Sequence, residues 1–161
     1  MIFFYSISLL LVMIFFFWKC QQKNKELIDL TNHCSKLTER FDLLSAWIAK
    51  KNNGRAIADY LRKQKISRVG IYGLGTMGEF LIEDLLSNQI KIDYIVDSRI
   101  ALRGGRYVNV PVISLDLVRK YKETGLMIIA IGYQENKILE QIKQLISNLE
   151  IITLEELIEK I

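Results

Sequence analysis

Residues 68–78 read Arg-Val-Gly-Ile-Tyr-Gly-Leu-Gly-Thr-Met-Gly, and they constrain the fold more than any other stretch. A short apolar run stops at Gly73, and glycines follow at Gly75 and Gly78. A chain that leaves a strand through G-x-G-x-x-G and enters a helical pattern must turn sharply. Gly73 permits the turn, Gly75 leaves the backbone uncovered, and Gly78 lets the helix pack close to the strand it left.

The residues beyond this turn alternate in the α/β manner. Strands are expected at 69–72, 90–96, 110–113, 126–131 and 150–152, separated by helical patterns at 77–87, 115–122 and 135–148. In the first helix Met77, Phe80, Leu81 and Leu85 share one side; in the last, Ile138, Leu139, Ile142, Leu145 and Ile146 do. The run 126–131 is wholly apolar, as a buried parallel strand should be. Pro111 points to an edge for its strand, and the adjacent glycines within 99–109 to a loop. Ser114 is a cap for the helix after it, and Thr153 with Glu156 spells a capping box for a final short helix. The expected fold is therefore α/β, a single Rossmann-like parallel sheet of about five strands in the order 3-2-1-4-5.

Two segments precede this unit, giving expected domains at 1–18, 19–51 and 52–161. The first 18 residues carry no charged side chain. As a helix they would span about 27 Å, near the ~30 Å of a bilayer core. No basic n-region or small-residue cleavage site accompanies them, so an uncleaved transmembrane anchor is expected. Lys19, Lys23 and Lys25 follow Trp18 and would leave the C-terminal domain on the cytoplasmic side of a bacterial inner membrane. Next, Leu27, Leu30, Cys34, Leu37, Phe41, Leu44 and Ile48 recur at alternating spacings of three and four. That is an a/d seam: a short coiled coil making a homodimer through residues 27–48, or one amphipathic helix lying on its own domain. Asn52, Asn53 and Gly54 end it. A basic stretch follows, with Lys50, Lys51, Arg55, Arg62, Lys63, Lys65 and Arg68 against Asp59 alone. It reads as a solvated face, or as a contact for acidic lipid or a phosphorylated partner.

The chemistry centres on the turn. Backbone N–H groups around Thr76 and Met77 open the helix and would face phosphate oxygens. Asp97 ends the second strand, 19 residues beyond Gly78, where a carboxylate accepts hydrogen bonds from an adenosine ribose. The candidate cofactor-binding set is Gly73, Leu74, Gly75, Thr76, Met77, Gly78, Asp97, Ser98 and Arg99. An acid at 97 favours NAD(H); Arg99 beside it keeps NADP in view, and a nucleotide-sugar is the other ligand considered. The first strand has no acid ahead of its glycines, against S-adenosylmethionine, and no P-loop sequence occurs. Tyr133 and Lys137 have the Y-x-x-x-K spacing of short-chain dehydrogenases but follow the fourth strand directly. No catalytic residue is assigned, and a small oxidoreductase built on that pair ranks last. With His33 the only histidine and Cys20 and Cys34 the only cysteines, neither a zinc site nor a His-based triad is expected. A net charge of +4 without interleaved aromatics or a helix-turn-helix pattern argues for no nucleic-acid partner.

From about residue 41 onward the chain resembles the Rossmann-like accessory domain of bacterial cell-surface polysaccharide biosynthesis proteins. Such domains are found beside nucleotide-sugar epimerase/dehydratases and sugar acyltransferases. The resemblance is carried by Leu44 to Ile48 with Trp47, by Tyr60-Leu61, and by Ile71-Tyr72-Gly73-Leu74-Gly75-Thr76-Met77-Gly78. Tyr94-Ile95-Val96-Asp97, Val110-Pro111-Val112-Ile113 and Ile152-Thr153-Leu154-Glu155-Glu156-Leu157 continue it. Asn109 departs from the pattern, which has Gly there. The resemblance implies a binding or regulatory module partnered by a polysaccharide-biosynthesis enzyme; the alternative is a scaffold with a vestigial pocket.

Overall fold

The computed structural model describes residues 2–97, 105–131, 135–146 and 149–161, the side chains of 2–12, 135–137, 141 and 145 excepted. By internal contacts the chain divides into a unit at 1–39 and a unit at 40–161. Helix α1 (Ile2–Asn52) supplies all of the first unit and enters the second.

Among the described residues no helix is long and apolar enough to cross a membrane. The expected transmembrane helix at 1–18 is thereby overturned, together with the membrane as partner and the inner-membrane location with a cytoplasmic C-terminal domain. The apolar run is not an element of its own, because α1 continues unbroken through Lys19, Lys23, Lys25 and Glu26. Farther along, Leu27, Leu30, Leu37 and Phe41 stand exposed. Leu43, Leu44 and the buried Trp47 instead pack into the core of their own chain. Of the seam residues, Leu44 is thus taken up by the chain's own core, while Ile48 at its end is 50% exposed.

The second unit is a Rossmann-like α/β layer structure. Its elements run α2 (Ile57–Lys63), β1 (Arg68–Tyr72), α3 (Thr76–Ser87), β2 (Lys91–Val96), β3 (Arg106–Tyr107) and β4 (Val110–Ile113). A 3₁₀ helix (Leu115–Lys120), β5 (Leu126–Ile129), α4 (Glu135–Leu145), β6 (Glu150–Thr153) and α5 (Leu154–Lys160) complete it. The sheet has six strands in the order β3-β4-β2-β1-β5-β6, which replaces the expected five in the order 3-2-1-4-5. The added strand is β3, antiparallel to β4 through Arg106 opposite Pro111 and Tyr107 opposite Val110. At two residues it is too short to show alternation, so it was expected to be loop. It also displaces Pro111 from the edge strand.

The hairpin turn explains the departure at 109. Val108 and Asn109 both have positive φ, 46° and 65°, as a two-residue primed turn requires. Asn tolerates that region and can stand in for Gly. Val108 does not tolerate it well, because a β-branched side chain crowds the backbone there. It is also 57% exposed, so little burial offsets the strain. Val108→Asn is expected to raise stability by about 1 kcal/mol, read as a higher urea midpoint at unchanged slope.

Side chains alternate across the sheet and fill two cores. Val69, Ile71, Ile92, Ile95, Leu126 and Ile128 face Trp47, α2, α3 and α5. Tyr94, Val96, Met127 and Ile129 face Val118 and Ile142 on the other side. On α3, Met77, Leu81, Ile82 and Leu85 are buried, whereas Phe80 is 42% exposed rather than inward as expected. The capping box forms: Thr153 Oγ1 accepts from the Glu156 N–H at 3.1 Å, and a Glu156 carboxylate oxygen accepts from the Thr153 N–H at 3.2 Å. Ser114 makes no side-chain cap.

Sequence reading missed an ionic clamp at the opposite end of the sheet from the glycine turn. Between Val69 and Gly70 the register to β2 shifts, pairing Val69 with Ile92 and Gly70 with Tyr94. Asp93 is the extra residue of this bulge. Its carboxylate takes two bonds from Arg68 Nε at 3.0 Å, one from Arg68 Nη2 at 2.8 Å and one from Thr124 Oγ1 at 2.7 Å. Arg68 also reaches Glu123. A lone Asp inside the apolar run Ile92-Asp93-Tyr94 was the available signal.

Just beyond the bulge, the Tyr94 ring lies over Gly70, where an added Cβ would strike its Cζ and Oη. Tyr94 is fully buried, and its hydroxyl has no hydrogen-bond partner among the described residues. Burial, aided by the Asp93 charge, pushes this phenol well above its ordinary 10. Its neutral form is thus favoured by the fold, and the unfolded chain loses the proton first as pH rises. The parent chain should lose up to about 1.4 kcal/mol of stability per pH unit above pH 10 from this group. Tyr94→Phe should remove that part of the alkaline slope. It should also match or exceed parent stability at neutral pH, because an unsatisfied buried hydroxyl is removed.

Candidate functional site

The three glycines of the turn meet different surroundings. Gly73 has φ +104, a region that side chains avoid, and its N–H donates to Val96 O at 2.9 Å. A Cβ there would also strike the Ile131 side chain. At Gly78 a Cβ would collide with the carbonyl oxygen of Gly73, so these two residues hold α3 against the end of β1. Both are glycine because the fold needs them to be.

Gly75 is unlike the other two. It is exposed and extended, with φ −115 and ψ −175, a conformation open to any residue. Nothing lies within 4 Å of where its Cβ would be. It is the N-cap of α3, its carbonyl accepts from Glu79 N–H at 2.9 Å, and no side chain caps the helix. The first amides of α3 therefore open toward the space that Gly75 leaves clear, at the positive end of the helix dipole.

Asp97 lies beside this turn. Its Oδ2 accepts from the Leu74 N–H at 3.1 Å, and the residue is 7% exposed. The carboxylate at the end of β2 thus fastens the turn at the end of β1, a role in addition to the expected ribose contact. Tyr72 closes the neighbourhood: burial first, and the Asp97 charge second, raise its phenol above the ordinary value.

The structure brings Gly73, Leu74, Gly75, Thr76, Met77, Gly78 and Asp97 together. Leu74 and Met77 turn their side chains into the core, so only their backbone is available to a ligand. Gly75 and Thr76 are exposed. Ser98 and Arg99 lie outside the described residues, as do Tyr133 and the Lys137 side chain. Sequence reading missed Ala130 and Ile131, which back Gly73. Their signal was the place where the apolar run of β5 ends.

No family model matches the chain, and no curated protein does. Solved structures share part of its backbone arrangement. The Rex-family repressor RSP is 13% identical with a TM-score of 0.43, over 60% of this chain and 56% of that one. RSP in complex with β-NAD+ and operator DNA is 13% identical with a TM-score of 0.40, over 55% and 50%. The methyltransferase FkbM from Methylobacillus flagellatus KT is 14% identical with a TM-score of 0.47, over 77% and 36%. The chain thus spans 36% to 56% of the lengths of the structures it is similar to. The operator DNA is a partner of RSP in that complex.

Proposed function

We propose that the turn between β1 and α3 holds the phosphates of a nucleotide-type ligand, NAD(H) ahead of NADP or a nucleotide-sugar. The observation that carries this reading is Gly75. The fold requires glycine at 73 and 78 but makes no demand at 75. A bare backbone beside uncapped helix amides is what the close approach of a pyrophosphate needs. Asp97 beside the turn supports an unphosphorylated ribose, because its carboxylate opposes a 2′-phosphate. The resemblance to accessory domains of surface-polysaccharide proteins supports binding or regulation rather than turnover.

Isothermal titration of the full chain with NAD+, NADH, NADP+ and UDP-sugars tests it. Saturable binding of NAD+ or NADH, with NADP+ weaker, is expected; heat from none of the four ligand types would sink the reading. A second reading, a scaffold with an empty pocket, draws on the Asp97 bond to Leu74, which makes the carboxylate part of the turn's own structure. It expects no ligand to raise the melting temperature.

A further inference from the structure

The corner between α1 and α2 forms an open concavity of its own, and no residue of the glycine turn lines it. α1 ends in a Schellman turn. Gly54 takes φ +73, its N–H returns to Lys51 O at 3.0 Å, and the Arg55 N–H returns to Lys50 O at 3.0 Å. That geometry fixes where Arg55 leaves the helix. The cavity has a volume of about 590 Å³ and is walled by Arg55, Asp59, Tyr60, Arg62, Lys63 and Lys160. Four cationic side chains face one side-chain carboxylate, and Ile161 completes the wall.

The carboxylate is already spoken for. Asp59 accepts from Arg62 Nη1 at 2.8 Å, and Arg62 Nη2 donates to Asn88 O at 2.5 Å, so this pair forms a neutral wall. Arg55, Lys63 and Lys160 supply the surplus charge. Arg55 donates to Ile161 O at 3.3 Å, its one contact among the described residues for a guanidinium with five donors. Elsewhere in the basic run, Lys51 and Arg68 turn away to Asp84 and Asp93. The three surplus cations come from a loop, from α2 and from α5, so neighbours in sequence do not account for their convergence. Gathering like charge around a concavity opposes folding unless an anion enters. The volume falls within the ~300–1,000 Å³ of small-molecule sites, with the half-buried Tyr60 ring as an apolar side.

We propose that this cavity binds a soluble polyanionic phosphate ligand, independently of the glycine turn. The test is isothermal titration of the full chain with tripolyphosphate and with inorganic phosphate, in a chloride buffer. Saturable binding is expected, tighter for tripolyphosphate. Lys63→Glu with Lys160→Glu should weaken it at least about tenfold at a melting temperature no lower than the parent's, both lysines being exposed. Should the double reversal unfold the chain, Lys63→Gln and Lys160→Gln singly should each weaken it several-fold. Gly75→Val should leave it unchanged. Three results would overturn the proposal: no saturable binding, binding indifferent to the lysine variants, or binding abolished by Gly75→Val. Capture by a DNA duplex or by anionic-lipid vesicles without tripolyphosphate binding would overturn it too.

Discussion

Gly78→Ala is expected to remove about 3 kcal/mol or more of stability, at or above the upper end for overpacking. The added methyl meets the carbonyl of Gly73, which is backbone and has no rotamer to change. Moving that carbonyl strains a residue already at φ +104 and pulls on the bonds from Gly73 N–H to Val96 O and from Leu74 N–H to Asp97. Moving α3 outward instead opens the core around Met77, Leu81 and Leu85. Domains of this size hold only about 5–15 kcal/mol in all, so the shift in urea midpoint should be large. A midpoint equal to the parent's would mean that α3 does not sit this close to β1.

Gly75→Val is expected to do the opposite: the fold stays and the ligand is lost. Valine is at ease at φ −115, ψ −175, and its methyls enter open space. Exchanging glycine at an N-cap should cost no more than about 1 kcal/mol. The same methyls occupy the approach to the α3 amides. Each hydrogen bond to a charged phosphate oxygen contributes about 1.5–3 kcal/mol, and tenfold in affinity is about 1.4. Losing two such bonds weakens binding at least a hundredfold, roughly. Titration of parent and variant with NAD+ and NADH checks this. Equal affinity in both would move the ligand away from the turn, whereas a collapsed variant would mean that position 75 is structural after all.

These two glycines also mark how far the sequence could be read. Spacing alone identified the turn, because few backbones suit G-x-G-x-x-G between a strand and a helix. Spacing did not separate a glycine enclosed by its own fold from one facing open space. That distinction depends on the Gly73 carbonyl beneath Gly78 and, for Gly73 itself, on Ile131, more than fifty residues downstream. Apolar runs located the parallel strands for a similar reason: a strand buried on both faces has little choice of composition. They failed where length or context decides. Arg106 and Tyr107 form β3 through their partner strand rather than their own pattern. Phe80 has helical spacing to Met77 yet stays half outside. The apolar start of the chain looked like a separate span, whereas in the structure it opens a much longer helix.

The Tyr94 ring over Gly70 makes two positions answer to one constraint. Any side chain at 70 must occupy the volume of the ring, and a residue without an aromatic ring at 94 leaves a void beside a strand that cannot fill it. Single exchanges at either site are therefore a poor guide to the pair, whose effects will not add. A side chain at 70 is accommodated only where the ring at 94 is given up. Gly70 and Tyr94 are one steric site written in two places.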